Sequence, residues 1–570
     1  MTSTREKLGN STDPNSIAGN MAAGNVATDS DIINGDRYLS AGDEETSSIQ
    51  RFDVDSELEL QDMDDIASII TTLAIPNHHD ISPLREGLFI FFICLSQLIT
   101  QASVAQTIIG GTFIAKTFGV EGIAGEESWF TASFSLTVGT FILISGRLGD
   151  MYGYKFMYLV GYGWYAVTSL AVGFSSYGKS TVVFSIMRAL QGMGPAITMP
   201  NSQAILGSYY PPSLKKNIYM CLFGAIAPGG FVLGALFTSM FSELVRWPWT
   251  FWLAGIVAGV AAVGAFFIIP QHIGIAHNSP GSFDYWGSLA GVTGLVLINF
   301  AWNQGPNVGW DTPYVYVLLI VGFLALVAFY FIEQRVSHPI VPREALKGDT
   351  GFVLGCIAAG WSCFGIWIYY IFRWILVVDG KSSVMAAVYS IPTLIMGYVA
   401  ALSTAYLLQH VPLAFVLLLA MCAFLIASIV AGTMHTHQIY WLQKFVSFLI
   451  GPFGMDMSFP AGCVLLSDSL PREQQGIAGS LVSTFVNYSI AIGLGIAGTV
   501  EFYVTKDREP SMETTIKGIK AAQAMGMGMA GCGILLSAFF LYKQLRRRAD
   551  KSEKDMSEHE IPLTKSETTP

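Results

Sequence analysis

The chain has 570 residues, 52% of them hydrophobic and only 13% charged, where soluble domains carry about 25% charged residues; a string of water-soluble domains is excluded. The net charge of −10 is unevenly placed: residues 1–84 hold 16 acidic and 4 basic side chains, residues 543–570 hold 6 and 7, and the 458 residues between hold 19 and 20. The acidity belongs to a tail, and the long neutral remainder, with most of the 58 Gly and 37 Phe, suits a bilayer.

Residues 1–84, rich in Ser, Asp, Asn and Gly, read as a disordered cytoplasmic tail and are unlike a cleavable signal peptide. A weakly amphipathic stretch from Ile66 to Leu73 suits the membrane surface. From Gly87 onward, apolar stretches recur at the roughly 20-residue length that crosses a ~30 Å hydrocarbon core. Spans are expected near 86–108, 128–147, 155–174, 180–200, 217–240, 249–270, 287–303, 313–332, 351–372, 384–407, 411–431, 439–463, 477–500 and 521–542. This is an all-α polytopic membrane protein of fourteen spans, with both termini on one side. The span at 439–463 is long enough to tilt or break at Pro452 and Pro460.

Along these spans, polar residues are conspicuous because they are few. Gln97, Gln101 and Gln106 lie in the first span, and Gln97 and Gln101 share a helix face. Between spans 2 and 3, Gly146, Arg147, Leu148, Asp150, Gly153 and Lys155 form a short turn whose glycines let two helices approach, with an acid able to pair with a base. Arg188 in span 4 is costly in lipid by roughly 2.5–3.5 kcal/mol and normally faces a polar interior, sharing its face with Gln191 and Gly192. Pairing of Arg188 with backbone carbonyls is the purely structural alternative. Asn201 and Gln203 follow that span as candidate cavity lining.

Span 5 carries Gly224, Pro228, Gly229, Gly230 and Gly234, which permit close packing and a proline bend. Asn299, Asn303 and Gln304 in span 7 read as packing residues, and the aromatics around span 9 (Trp361, Trp367, Tyr369, Tyr370, Trp374) read mostly as interfacial anchors. Asp456, between Pro452 and Pro460, is the most informative residue, since an intramembrane carboxyl is costly when charged and is neutralised by a proton. Lys444 lies 12 residues before it, about 18 Å along a helix, too far to pair. Asn487 in span 13 is a further candidate for the cavity.

Lys and Arg in the short loops, with the cluster Lys543, Arg546, Arg547 and Arg548, favour cytoplasmic termini. A shift of 260 residues aligns Gly194 with Gly454, Pro200 with Pro460 and Pro211 with Pro471, pairing span 4 with span 12. Duplicated six-helix halves with two inserted helices have this register, and parallel repeats place a binding site between the halves. All seven cysteines fall in apolar runs and read as buried small side chains. No phosphate-binding loop, metal-ligand spacing or basic aromatic patch is present, so no cofactor, metal, nucleic acid or enzymatic role is expected.

The turn matched at Gly146, Leu148, Asp150, Gly153 and Lys155 resembles the cytoplasmic signature loop of the major facilitator superfamily; His410 stands at the repeat position of Asp150, so the second copy lacks the acid. Arg188, Gln191 and Gly192 resemble the R-x-x-Q-G element that the superfamily's exporters associate with proton coupling. Gly224 to Gly234 resembles the antiporter element, with Ala227 in place of the Gly before Pro228. Trp247, Trp249 and Trp252, then Asp284 to Gly287, and the runs Gly454 to Pro460, Gln475 to Ala478 and Asn487 to Glu501 are similar to the fourteen-helix drug:proton antiporter family. The resemblance narrows to a fungal branch that includes aminotriazole-resistance, boron-export and low-affinity ammonium transport proteins, and covers residues 85–545.

The resemblance implies a tail (1–84), a first six-helix half (85–270), two inserted helices with a loop (271–350), a second half (351–542) and a C-terminal tail (543–570). It implies a transporter in the bilayer that exchanges a small solute for protons. Asp456, Arg188 and Gln191 would couple protons, Gly146, Asp150, Gly153 and Lys155 would gate the cytoplasmic face, and Pro460 with the span 5 residues would pack and bend helices. Gln97, Gln101, Asn201 and Asn487 would line the cavity. Low-affinity uptake of a small inorganic solute such as ammonium is the alternative, and a tail-signalling sensor the third reading. The plasma membrane, then the vacuolar membrane, is the expected location, with no obligate protein partner.

Overall fold

The computed structural model describes residues 82–121, 124–211, 213–271, 283–336, 339–341, 349–470, 475–509 and 511–559. Residues 1–81, with the stretch Ile66 to Leu73, and residues 560–570 lie outside the described residues, as do Arg343, Lys347 and Arg472.

Helices cover all fourteen expected segments, and among the described residues no strand occurs. They are α1 (Pro83–Phe118), α2 (Ala124–Tyr152), α3 (Tyr154–Phe174), α4 (Thr181–Tyr209), α5 (Leu214–Leu244), α6 (Pro248–Ile268), α7 (Tyr285–Val308), α8 (Pro313–Glu333), α9 (Thr350–Arg373), α10 (Ser383–Tyr389), α11 (Ile391–His410), α12 (Leu413–Gly432), α13 (Gln443–Ser469), α14 (Gln475–Thr505) and α15 (Met512–His559). Eleven candidate spans among the described residues, with α10 and α11 together forming one, are long and apolar enough to cross a membrane. Helix starts follow local chemistry: Ser82, Ser180, Ser213, Asp284 and Ser382 each accept a backbone N–H from the first turn. Proline opens α1, α6, α8 and α11, where its missing N–H costs nothing.

Several helices overrun their expected ends. The first ends at Phe118 instead of 108, where Gly119 takes φ +73° as a left-handed cap. The fourth runs to Tyr209, so Asn201 and Gln203 lie within it rather than after it. The last continues past 542 through the basic cluster to His559, so much of the expected C-terminal tail is helix.

Of the tilt or break open to α13, no break occurs: the helix is continuous from Gln443 to Ser469, and the structure supplies the reason. Proline lacks an N–H, so Pro452 and Pro460 leave the carbonyls of Phe448 and Asp456 without their helical donors. Two hydroxyls of α11 reach them: Thr393 Oγ1 donates to the Phe448 carbonyl at 3.3 Å, and Thr404 Oγ1 shares its one proton between the Ala400 carbonyl of its own helix at 2.8 Å and the Asp456 carbonyl at 3.1 Å. The helix survives because its neighbour fills both gaps.

Packing follows the 260-residue shift. The pair α2 and α4 recurs as α11 and α13, α3 and α4 as α12 and α13, α3 and α6 as α12 and α15, and α1 and α5 as α9 and α14. Between the two sets, contacts of α14 with α2 and α4 are mirrored by contacts of α5 with α11 and α13. Helices α7 and α8 pack on each other, and α7 lies against both α2 and α14. On α8, Val317, Ile320, Val321, Phe323 and Leu324 are exposed, a surface that suits lipid.

Candidate functional site

Arg188 is fully buried, and all five of its N–H donors are engaged. Nε donates to the Phe130 carbonyl at 3.3 Å; Nη1 donates to Gln191 Oε1 at 2.6 Å and Gln106 Oε1 at 3.5 Å; Nη2 donates to the Ser103 carbonyl at 3.1 Å and Thr107 Oγ1 at 3.3 Å. The rings of Phe134 and Phe251 lie 4.5 and 5.5 Å from the guanidinium carbon. Gln191 passes the network to Ser169 Oγ on α3 at 2.7 Å, and Ser103 Oγ meets Tyr165 OH at 2.5 Å. An added Cβ at Gly192 would overlap Thr137 and Phe134 on α2, so this glycine sets the closeness of α2 and α4. Arg188 and Gln191, expected to share a helix face, bond to each other, the backbone carbonyls of the structural alternative are engaged as well, and the site ties α1, α2, α3 and α4 together.

At the α2–α3 turn, Gly153 takes φ +93°, a conformation open to glycine. The candidate gate pair does not meet as an ion pair. Asp150 Oδ1 accepts from Tyr154 OH at 2.7 Å, whereas Lys155 Nζ donates to the carbonyls of Phe266 and Ile269 at 2.7 and 2.6 Å. Lysine is drawn there because the last carbonyls of α6 lack helical donors and carry the negative end of its dipole. Gly146 is buried in the last turns of α2.

Asp456 is buried on α13 where that helix meets α11 and α5. A Cβ added at Gly397 of α11 would sit 3.1 Å from Asp456 Oδ2 and 3.0 Å from Pro228 Cγ, and one added at Gly224 would sit 3.0 Å from Pro460 Cγ. Four positions singled out in the sequence, Gly224, Pro228, Asp456 and Pro460, therefore converge across the boundary between the two helix sets. Among the described residues Asp456 Oδ2 has no hydrogen-bond partner. Lys444 is engaged elsewhere, paired with Asp379 at 2.9 Å.

The other span 5 glycines face α1 and α11: an added Cβ would lie 2.5 Å from the Leu98 carbonyl at Gly230, 2.5 Å from Ala102 Cα at Gly234 and 2.8 Å from Leu394 Cδ1 at Gly229. Of the candidate cavity residues, Gln97 is buried with Oε1 unpartnered among the described residues, and Gln101 is partly buried. Asn201 is fully buried and donates to the Ile197 carbonyl at 2.7 Å and the Ser145 carbonyl at 3.5 Å, while Asn487 donates to the Ser483 carbonyl at 2.9 Å. Asn201 thus keeps its Nδ2 on backbone while its Oδ1 has no hydrogen-bond partner among the described residues, and Asn487 donates to backbone. Most aromatics around span 9 were expected at the interface, but Trp361, Trp367 and Tyr370 of α9 and Trp374 just after it are buried, with Trp361 and Trp367 donating to Ser458 and Ser447 on α13 at 3.1 and 2.7 Å.

Sequence reasoning overlooked the partners that make these sites. Thr393, Thr404 and Gly397 on α11 are small residues in an apolar helix, and only the proline gaps on α13 give them meaning. It also overlooked Glu501, whose carboxylate accepts from Arg373 Nη1 at 2.6 and 2.7 Å and from Tyr370 OH at 2.8 Å. Arg373 and Glu501 lie on separate helices, so no spacing rule links them.

Comparison with known proteins adds what geometry alone does not. A family model described as Major Facilitator Superfamily matches residues 91–495. A low affinity ammonium transporter of Saccharomyces cerevisiae is 45% identical over 519 residues, spanning 90% of this chain and 98% of that protein. The efflux pump terJ of Aspergillus terreus is 36% identical, spanning 85% and 94%, and an aminotriazole resistance protein of Saccharomyces cerevisiae is 39% identical, spanning 80% and 84%. In fold, the chain is similar to a human organic anion transporter with a TM-score of 0.57 at 15% identity, covering 81% of this chain and 100% of that one.

Proposed function

The chain belongs to the major facilitator superfamily, a family of multi-pass membrane transporters and not of enzymes, and from that premise we propose that it is a proton-coupled secondary transporter that exports a small solute by alternating access. Two halves of six spans each, α1–α6 and α9–α15 with α10 and α11 counted as one span, rock against each other, with α7 and α8 inserted between them in the chain. The recurrence of helix contacts under the 260-residue shift supports this arrangement.

The observation that carries the coupling assignment is Asp456, buried with an unpartnered Oδ2 at the boundary of the two sets, beside Pro228, Pro460 and Gly397. A carboxyl in such a place is stable when a proton or a cationic solute neutralises it, and it lies between the parts that move. Arg188 and Gln191 hold the first half rigid, so their part in coupling is indirect. Lys155 anchors the α2–α3 turn to α6, and Asp150 with Tyr154 shapes the gate at that end. Both termini face the cytoplasm of a plasma-membrane protein in this reading.

In sealed vesicles, Asp456→Asn is expected to abolish export driven by a pH gradient while the protein remains in the membrane. Unchanged proton-driven flux would overturn the assignment. Low-affinity uptake of ammonium is the second reading, favoured by the relative that is 45% identical across 98% of its length. The direction of solute movement under an imposed proton gradient separates the two.

A further inference from the structure

Gln203 on α4 and Cys463 on α13 are 260 residues apart, the same shift that carries one set of helix contacts onto the other. Residues related by a two-fold repeat touch only where the relating axis passes between them. These two touch: Cys463 Sγ lies 3.5 Å from Gln203 Oε1. The amide's other end donates from Nε2 to Ser483 Oγ on α14 at 3.0 Å. All three side chains are buried, and a Cβ added at Gly479 of α14 would lie 3.0 Å from Gln203 Cβ. Gln203 sits toward the end of the bundle that bears the α2–α3 turn, since Asn201, two residues earlier, reaches the Ser145 carbonyl on α2. Toward the opposite end, Glu243 Oε1 accepts from the Val384 N–H at 3.3 Å, and the Phe231 and Phe372 rings are 5.5 Å apart.

We propose that Gln203 is a positioning residue that latches the α2–α3 end of the bundle shut on the repeat axis, and that its bonds to Ser483 and Cys463 break each time that end opens. The inference rests on the alternating-access reading. A primary amide offers a donor and an acceptor in one plane, so one side chain from the first set holds two helices of the second. Its bonds are between neutral groups, weaker than ion pairs, as a contact remade in every cycle requires.

The test uses the full chain in lipid vesicles and reads alkylation by N-ethylmaleimide, which needs no known solute. Gln203→Leu is expected to raise the alkylation rate of Cys463 about tenfold, the scale of one or two buried hydrogen bonds. In a Cys463→Ala background, oxidation of Gln203→Cys with Gly479→Cys should form a disulfide, the helices easing apart by about half an ångström from the 3.0 Å Cβ separation to the roughly 3.5–4.5 Å that a disulfide spans. The closed link should speed alkylation of a Phe372→Cys reporter at the opposite end, and reduction should reverse it. An unchanged Cys463 rate in folded Gln203→Leu, no disulfide in the double variant, or a linked protein with an unaltered reporter would each overturn the latch. Ammonium and proton flux through the wild-type chain, measured in the same vesicles, judges the transport reading separately.

Discussion

Arg188 illustrates how a single charge is accommodated in an apolar core. Its five donors meet three side-chain and two main-chain acceptors, with no carboxylate among them. A lysine at this position has three donors on a point-like head and would strand acceptors built for a planar fork. Arg188→Lys is expected to cost about 2–3 kcal/mol, read as a lowered Tm of the purified protein. That Arg188 and Gln191 share a helix face was legible in the sequence from their spacing of three. The bonds of Arg188 to the Ser103 carbonyl and the Thr107 hydroxyl were not, because helix rotation about the long axis decides which groups of a neighbouring apolar run turn inward. Asp456 was legible as a rarity, while Gly397, which leaves room for it, looked like any other helix glycine.

At the scale of helices, the sequence located all fourteen segments but misjudged several of their ends, and it left open whether α13 tilts or breaks at its prolines. Hydropathy locates where lipid contact stops, whereas a helix stops where its hydrogen bonds lose their partners; α1 and α4 run on past their apolar stretches for that reason. Lys444 and Asp379 tie the start of α13 to the segment after α9, with side chains only 4% and 9% exposed. Removing one partner leaves an uncompensated charge, so Lys444→Leu is expected to destabilise by about 3 kcal/mol. Lys444→Leu with Asp379→Leu should recover most of that loss in thermal unfolding. A double variant as unstable as the single one would show that the ion pair itself, and not the avoidance of a stranded charge, holds the two segments.

For the molecule as a whole, the repeat was faintly legible in three Gly and Pro coincidences, and the exchange of helix contacts gives it substance. Proline and glycine persist where backbone geometry requires them, while the rest of two diverged halves keeps only its apolar character. The bundle begins with its own start signal: Ser82 Oγ accepts from the Arg85 N–H at 3.4 Å and Pro83 opens α1. Deleting residues 1–80 leaves that start intact, so solute flux in vesicles should persist within about twofold of the full chain, a change under 0.5 kcal/mol in rate terms. Loss of flux on deletion, with the protein still in the membrane, would favour a tail-dependent sensor.

Helix α15 has 48 residues, Met512 to His559. At 1.5 Å per residue that is roughly 72 Å, more than twice the thickness of the hydrocarbon core. Its portion beyond Arg547, which pairs with Asp349 at the start of α9, runs on for about 18 Å to His559. A tilt of about ten degrees at Arg547 swings that end by about 3 Å. Small rearrangements among buried side chains thus become visible at the surface as a displacement that a fluorophore, an antibody or another protein could register.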